Sequence, residues 1–501
     1  MQDHEPLFEA ARSGGRVLLI YCFEPMQLTD EHYRLRHWRF VLQSLQDMAV
    51  RLPNKSILCS QASALETFTQ LHRLTPLTAI FSHQEVGLEN TFRRDQAMAA
   101  WFKRNNISWH ETPYAAVMRG LNHRSDWQNN WHKVMRAEQK NCDLAKVDWH
   151  ILSDQQLTQL GLMPPSSMHI TQLDEKVSQV TPYQHRYDDL QGHFQQGGES
   201  FAQQTLSSFF TERGKPYYYS LSSPNTSQAH CSRLSAYLAW GNLSLRQVYQ
   251  MTLAHWQQPG WRKSLIAFSA RLHWHCHFIQ KFESQHEIEF MPMNSGYQAM
   301  PSTTGELAIK RLKAWQQGQT GIPMVDACMR CLLATGYINF RMRAMLVSFL
   351  CHHLDLDWRL GVKHLASVFL DFEPGIHYRQ FQMQAGITGI NTIRIYNPVK
   401  QGIEQDPEGE FVRRWCPELA QLPNEVVHSP WQMAPMEQLF YQVELGMDYP
   451  FPLVDIKQSY QFAQAKLWHW RDRPQVKRQV AHILARHVQP KANKTKPKPR
   501  N

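Results

Sequence analysis

One short stretch of the chain combines aromatic and basic side chains in helical spacing. Arg271, Trp274 and Phe278 recur at i, i+3 and i+7, which places them on one face of a helix, with His275 and His277 close by. An indole ring can stack on a nucleobase, a contact worth about 1–3 kcal/mol per base, and neighbouring basic groups can contact phosphates. By itself the spacing favours packing in the protein core, with a nucleic-acid contact as the alternative.

Charged and hydroxyl side chains mark two further segments. Arg341 and Arg343 lie among apolar residues in a stretch of helical period, residues 332–350. They need partners, because an unpaired buried charge is very costly. Ser232 and Ser235 open another helical segment, and the free N–H groups and hydroxyls at a helix start can bind an anion. An ordinary helix cap is the alternative for this S-x-x-S pattern.

The elements that position these residues begin with an alternation of strands and helices in residues 1–130. Short apolar runs there are typical of strands buried in a parallel sheet. The alternation predicts a doubly wound, Rossmann-like α/β domain, although no glycine-rich dinucleotide fingerprint is present. The strand-like segments are 16–23, 56–59, 79–82 and 107–110, and the helix-like segments are 30–52, 62–74 and 91–105.

The rest of the chain divides into three parts. Residues 131–200 have weak periodicity and are interpreted as an interdomain connector. Residues 201–488 are helical in almost every segment and predict a larger all-α domain. Residues 489–501 are basic and proline-containing, which predicts a disordered tail, with a DNA-tethering arm as the alternative.

Composition narrows the class of protein. The 501 residues carry a net charge of +10, which favours a polyanionic partner. Nine scattered cysteines indicate reduced thiols in the cytoplasm. The sequence has no run of about 18 apolar residues, so no membrane-spanning segment is predicted. Cys328 and Cys331 have no second pair of closely spaced cysteines, so we expect buried thiols and no metal site. We also expect a monomer.

Three motifs show a family resemblance. The sequence W-Q-Q-G-Q-T-G-I-P-M-V-D-A-C-M-R at residues 315–330 resembles the flavin-domain signature of the photolyase/cryptochrome family. R-I-Y-N-P-V-K-Q at 394–401 and Y-P-F-P-L-V-D at 449–455 are similar to two further family motifs. The resemblance extends over residues 3–457 and implies an α/β antenna-type domain followed by an all-helical FAD-binding domain.

The resemblance implies a site for FAD. The helix start at Ser232 would present N–H groups to the pyrophosphate, and Arg343 would pair with Asp371. His377 would face the flavin N5, where the family commonly has Asn, and an imidazole there could tune the redox state of the flavin. The implied cofactor-binding residues are Tyr219, Ser232, Arg233, Leu234, Ser235, Arg343, Asp371, Glu373 and His377.

The resemblance also implies a lesion site with several departures from the family pattern. Trp274 matches the tryptophan on which a flipped pyrimidine dimer stacks, while Arg271 replaces an acidic residue. Phe340 and Ala344 occupy the positions of Asn and Met in cyclobutane-dimer enzymes, and the histidines of (6-4)-specific relatives are lacking. The implied DNA-binding residues are Arg271, Trp274, His275, His277 and Arg341.

The electron path and the start of the chain depart from the family as well. The chain of three tryptophans that reduces the flavin has Phe381 at its proximal position, Trp358 at its middle position and Gly305 near its outer position. Phe is hard to oxidise, so we expect Tyr378, Tyr337 or another tryptophan to carry electrons to the flavin. Met1 falls inside the family's first loop, so the first strand is expected to be missing, through a late start codon or a genuine truncation.

These features predict light-driven repair of cyclobutane pyrimidine dimers in UV-damaged DNA by electron transfer from reduced FAD. The protein would be a deoxyribodipyrimidine photo-lyase, with Trp274, His377 and Trp358 as its catalytic residues. A second antenna chromophore of unknown identity could be present. The alternatives are a cryptochrome-type blue-light photoreceptor without repair activity and a flavin-binding DNA protein without activity.

Overall fold

The chain is described from a computed structural model that covers residues 1–177, 179, 189 and 191–488. The predicted tail at 489–501 and part of the predicted connector lie outside these residues. No described helix is long and apolar enough to cross a membrane. All nine cysteines are free thiols.

The four predicted strands are confirmed, but they form two separate parallel pairs. Strand β1 (Leu19–Cys22) pairs with β2 (Ile57–Ser60), and β3 (Ala79–His83) pairs with β4 (Ser108–Thr112). Within the described residues no ladder joins the two pairs, so the predicted doubly wound sheet is present as two parallel pairs.

Helices cover these strands as the alternating pattern predicts. The side chain of Ser63 caps the helix before β3 by accepting from the backbone N–H of Glu66, which satisfies a free donor of the first turn. The helices of this region are α1 (Glu5–Arg12), α2 (Pro25–Leu28), α3 (Leu35–Val50), α4 (Ala64–Leu74), α5 (Glu89–Arg104) and α6 (Trp127–Arg136).

The predicted connector packs back on the first domain over part of its length. Trp149 forms an isolated bridge with Val17, and Met163 forms one with Cys59 of β2. Leu152 and Leu160 are buried in one apolar cluster with Leu58. This stretch contains α7 (Asp154–Leu160) and α8 (Ile170–Val177).

The second domain is all helical, as predicted. Its central helix contains the second half of the signature sequence and is surrounded on every side, since nine of its thirteen residues are buried. The helices are α9 (Glu199–Ser208), α10 (Tyr217–Ser220), α11 (Pro224–His230), α12 (Ser235–Ala239), α13 (Leu245–Ala254), α14 (Arg262–Ser284), α15 (Gly305–Gln317), the central α16 (Pro323–Thr335), α17 (Phe340–Ser348), α18 (Trp358–Val368), α19 (Pro374–Gln384), α20 (Pro398–Gln405), α21 (Glu410–Trp415), α22 (Pro435–Tyr441), α23 (Ile456–Arg471) and α24 (Pro474–His487).

Shorter helical turns join these helices. Two are π-helical extensions, Phe209–Arg213 after α9 and Phe349–His353 after α17. The 3-10 turns are Leu144–Lys146, Pro165–Ser167, His286–Glu289, Ser295–Tyr297, Pro417–Leu419 and Pro430–Gln432.

Candidate flavin and lesion site

A pocket opens between α17, α18 and α19. Apolar and aromatic side chains form most of its wall, and charged groups gather at one edge. This is the usual composition of a site for a flat, partly polar small molecule. The lining residues are Phe340, Arg343, Ala344, Val347, Leu365, Phe369, Asp371, Phe372, Glu373, Ile376, His377, Gln380, Phe381 and Gln384.

An ion pair between Arg343 and Asp371 forms the polar edge. The two guanidinium NH groups donate to the two carboxylate oxygens at 2.9 and 2.7 Å, and Nε donates to the carbonyl of Ile338 at 3.0 Å. Burial works against ionisation of Asp371, but the Arg343 charge and hydrogen bonds, with a further bond from Ser235, hold its pKa below the usual value. The arginine predicted to need a partner therefore has one, 28 residues away.

Glu373 lies beside this pair in a different protonation state. Burial raises its pKa to about 8, and a hydrogen bond from the hydroxyl of Tyr114, at 3.1 Å, only partly opposes that rise. At neutral pH the pocket edge therefore holds one carboxylate and one neutral carboxyl. Tyr114 belongs to the segment after β4, and no sequence pattern connects it with a residue 259 positions away.

His377 lines the same pocket as a neutral imidazole. Burial lowers its pKa to about 3, although its bond with the carbonyl of Val362 favours the charged form. Nε2 lies 2.8 Å from that carbonyl oxygen, so Nε2 carries the proton and Nδ1 is left as an acceptor. The sequence left both the neutral and the charged form of His377 possible, and in the structure the neutral form is favoured.

The signature turn is closed by a side chain with four hydrogen bonds. The carboxylate of Asp326 accepts from the backbone N–H and the hydroxyl of Thr320, both at 2.7 Å, and from the N–H of Gly321 at 3.0 Å. The hydroxyl of Tyr449 donates the fourth bond at 2.6 Å. The signature aspartate is therefore in direct contact with the first residue of the later Y-P-F-P motif.

The serine-rich segment is organised differently from the predicted helix start. Helix α12 begins at Ser235 and has only five residues, and Arg233 before it adopts a left-handed backbone with φ of 59°. Arg213 donates to the carbonyls of Cys231 and Ser232 at 2.6 and 3.2 Å. A helix this short has a small dipole. The hydroxyl of Ser235 hydrogen-bonds to Asp371, so this residue reaches the pocket edge.

Helix α14 lies beside the pocket and carries the predicted stacking tryptophan. Ile279 of α14 packs on Gly375 of α19 so closely that a Cβ at Gly375 would lie 2.8 Å from the Ile279 Cα. Trp274 is 39% exposed, and the guanidinium carbon of Arg271 lies 4.2 Å from the centre of its ring. The aromatic ring is therefore open to a ligand on one side and covered by a cation on the other.

A chain of aromatic rings leads away from the pocket wall. The ring centres of Phe381 and Trp358 are 6.4 Å apart, and Trp358 is 6.3 Å from Tyr378. The Tyr378 hydroxyl lies 2.6 Å from Nε2 of His32, whose Nδ1 lies 2.6 Å from a carboxylate oxygen of Asp30. His32 follows α2 in the first domain, and sequence gave no signal for it.

Two family models match the chain and together cover most of it. The model described as "FAD binding domain of DNA photolyase" matches residues 268–469, and the model described as "DNA photolyase" matches residues 1–143. The chain belongs to the photolyase/cryptochrome family.

Relatives of this photolyase/cryptochrome protein carry both names. It is 27% identical over 483 residues to a cryptochrome DASH of Gloeobacter violaceus, with 92% of each chain covered. It is 36% identical over 234 residues to a deoxyribodipyrimidine photo-lyase of Escherichia coli, covering 46% of this chain and 47% of that one. The solved cryptochrome of Synechocystis sp. PCC6803 superposes with a TM-score of 0.74 at 24% identity, covering 93% and 96% of the two chains.

The pocket of this family member fits the flavin part of FAD. The aromatic and apolar wall suits a flat ring system, and the Arg343–Asp371 pair, the neutral Glu373 and the His377 imidazole offer donors and acceptors at one edge. Phe340 and Ala344, the two predicted lesion-pocket positions, both line the pocket.

Several predicted cofactor-binding residues are not part of the pocket lining. Tyr219 is 69% exposed and its hydroxyl accepts from Lys263, whereas Tyr217 is the buried tyrosine of that helix. Arg233 stacks over Tyr337 at 3.6 Å, and Leu234 is buried in the core. Ser232 contributes its carbonyl to Arg213.

The predicted phosphate-contacting histidines are not cationic. Burial lowers the pKa of His275 to about 4 and that of His277 to about 2. His277 packs against the first domain, with its ring centre 5.8 Å from that of Trp127. Arg341 donates to Gln401 at 3.3 Å and keeps an unpaired Nε. Of the predicted basic contacts, Arg271 is the one that the structure places against Trp274.

Proposed function

We propose that this protein repairs cyclobutane pyrimidine dimers in UV-damaged DNA under light, as a deoxyribodipyrimidine photo-lyase. The observation that carries the proposal is the exposed Trp274 ring, with the Arg271 guanidinium on it, on the helix that packs beside the flavin pocket. A flipped pyrimidine dimer stacks on an aromatic ring, and a cation at the rim of that ring attracts the phosphate backbone. The net charge of +10 supports the same partner.

FAD, when bound, supplies the light-driven electron transfer. The residues that line the pocket have different roles around it. Arg343 and Asp371 orient its ring by fixed hydrogen bonds, and the neutral carboxyl of Glu373 can donate a hydrogen bond toward a substrate or the ring edge. His377 presents an unprotonated Nδ1, held by the Val362 carbonyl. Phe369 and Phe372 exclude water from this edge.

Electrons for reducing the cofactor come, in this proposal, from Trp358 and Tyr378. Phe381 interrupts the tryptophan chain at the pocket wall, but the ring centre of Trp358 lies 6.4 Å from that of Phe381 and 6.3 Å from that of Tyr378. Tyr378 has a proton acceptor in place, the His32 imidazole backed by Asp30. A tyrosine gives up an electron readily only when its hydroxyl proton has somewhere to go, and Tyr337 has a cation over its ring instead.

A blue-light photoreceptor without repair activity is the second candidate. Its support is the similarity over 92% of the chain to a relative named cryptochrome DASH, together with the altered pocket residues Phe340 and Ala344. In either role we expect a monomeric, cytoplasmic protein, which sedimentation and cell fractionation would check.

A light-dependent assay separates the two functions. Chemically reduced protein is illuminated with oligonucleotides that carry one cyclobutane dimer or one (6-4) lesion. We expect conversion of the cyclobutane substrate in blue light and none in the dark, and a loss of conversion in Trp274→Ala. The matched control is Trp468→Ala, because Trp468 is also exposed and also has an arginine over its ring, Arg471 at 5.3 Å, but lies on α23. Bound flavin that responds to light while neither lesion is converted would contradict repair and favour the photoreceptor.

A further inference from the structure

Three buried cations meet where the segment before α6 contacts the helical domain. Arg124 precedes α6, Lys281 lies on α14 and Arg379 lies on α19, with exposed fractions of 2%, 6% and 1%. His277 of α14 and His487 at the end of α24 complete the group. The cluster is separate from the flavin pocket, because that pocket is lined by Ile376, His377, Gln380, Phe381 and Gln384 of α19 and not by Arg379.

These cations lack anionic partners in the described part of the chain. Arg124 makes one hydrogen bond, to the His277 carbonyl at 3.4 Å, and its Nε and one terminal nitrogen have no acceptor. Arg379 has the same two nitrogens buried without an acceptor. The nearby carboxylate of Glu283 is engaged elsewhere, accepting from the N–H of Gly120 at 2.7 Å and from Gln280 at 3.0 Å.

Such an arrangement is strongly unfavourable if nothing else is bound. Leaving one buried charge without a partner destabilises a protein by several kcal/mol, and the two guanidinium charges repel each other and disfavour the ammonium form of Lys281. The ring of Trp127, 5.0 Å from the Arg124 guanidinium carbon, offsets only a part of this. The two histidines are neutral and offer no counter-charge, since burial and the neighbouring cations lower the pKa of each to about 2.

We propose that Arg124, Lys281 and Arg379 form a binding site for one oxyanion group, the phosphate of a small molecule or inorganic phosphate itself. Two guanidinium groups with free N–H donors match the oxygens of a phosphate, and an ammonium completes the charge. The depth of the site excludes the backbone of DNA, because none of the three side chains is more than 6% exposed. The site therefore serves a ligand enclosed at the contact between the two domains.

Anion binding at this site is coupled to a proton. Burial, followed by the charges of Arg379 and Arg124, lowers the pKa of Lys281 to about 6, so the empty site holds a neutral amine at pH 7.5. An anion favours the ammonium, so binding takes up a proton and weakens as pH rises. The other groups facing Lys281 are neutral His277 and His487, which do not titrate in this range.

Thermal unfolding of the flavin-loaded protein at increasing inorganic phosphate tests the site. We expect a saturable rise of roughly 2–5 °C in the unfolding temperature of the wild type. Arg379→Met and Lys281→Met should unfold at a higher temperature than the wild type without phosphate and should lose the phosphate response. Lys263→Met removes an exposed cation of the same helix and should respond like the wild type. An equal phosphate response in wild type and Arg379→Met would overturn the proposal.

Calorimetry on the wild type provides a measurement that needs no variant to fold. Sulfate, which does not titrate near pH 7.5, is added in two buffers of different ionisation enthalpy. We expect about one site per chain with proton uptake of up to one proton, and absence of saturable binding contradicts the site. Phosphorus released on denaturing the purified protein, after subtraction of two atoms per FAD, distinguishes free phosphate from an organic phosphate that co-purifies. Neither measurement depends on DNA repair.

Discussion

Nε2 of His32 and the hydroxyl oxygen of Tyr378 lie 2.6 Å apart, although 346 positions separate the two residues in the chain. The bond links the first domain to the aromatic cluster beside the flavin pocket. His32 is itself held by Asp30, so the tyrosine faces a histidine whose second nitrogen is already engaged. A hydroxyl proton can move along this bond when Tyr378 is oxidised.

Replacing Tyr378 with Phe should slow light-driven reduction of the bound flavin by about tenfold, equivalent to about 1.4 kcal/mol in the barrier. The reason is the loss of an electron donor whose hydroxyl proton can pass to His32. The measurement is the rate of flavin bleaching under blue light, together with the tyrosyl radical signal in electron paramagnetic resonance. Tyr337→Phe is the control and should leave both unchanged. A radical that persists in Tyr378→Phe would exclude Tyr378 as the donor.

Glu373→Gln should change the dependence of stability on pH. Because burial raises the pKa of Glu373 to about 8, its carboxyl stays protonated in the folded state while the unfolded state ionises above about pH 4.5. The wild type therefore loses stability as pH rises between these values, and Gln, which cannot ionise, does not. The gain of the variant over the wild type between pH 5 and pH 8.5 is expected to be on the order of 3 kcal/mol.

The check for Glu373 is denaturant unfolding at the two pH values. Glu425→Gln, at an exposed position, should show no such gain. If Glu373→Gln and the wild type lose stability in parallel as pH rises, the carboxyl is ionised in the folded protein and the assignment of a neutral Glu373 is wrong.

Asp326→Ala should destabilise the helical domain by roughly 3–5 kcal/mol, because it leaves two buried backbone N–H groups and two hydroxyls without their acceptor. Tyr449→Phe removes only the bond at 2.6 Å and should cost about 1–3 kcal/mol. Urea unfolding measures both. Equal losses for the two variants would show that the tyrosine, and not the signature turn, carries the contact.

Arg343→Lys should reduce flavin retention because an ammonium cannot make the two parallel bonds to Asp371. The ratio of flavin to protein absorbance after purification should fall several-fold. Arg359→Lys is the matched control, since Arg359 forms a similar two-bond contact with Asp357 at an exposed position, where an ion pair contributes about 0–1 kcal/mol. If Arg343→Lys keeps a full complement of flavin, the Arg343–Asp371 pair does not contribute to cofactor binding.

The local elements follow from short-range patterns that the sequence displays directly. Alternating apolar runs and helical periods predicted β1 to β4 and the helices between them, because burial of one face acts within a few residues. The need of Arg343 for a partner was also readable, since a charge in an apolar helix is costly wherever it lies. The signature sequence and later motifs determined the family, and with it the flavin-binding class of the second domain.

Only the tertiary structure decided which distant groups meet and in what charge state. The neutral forms of Glu373 and His377 arise from burial by several segments, and burial is a property of the assembled protein. The contact of His277 with Trp127, the pairing of His32 with Tyr378 and the meeting of Arg124 with Arg379 likewise depend on how helices pack across hundreds of residues. Sequence spacing specifies a helix face, but the packing of the other elements determines what that face contacts.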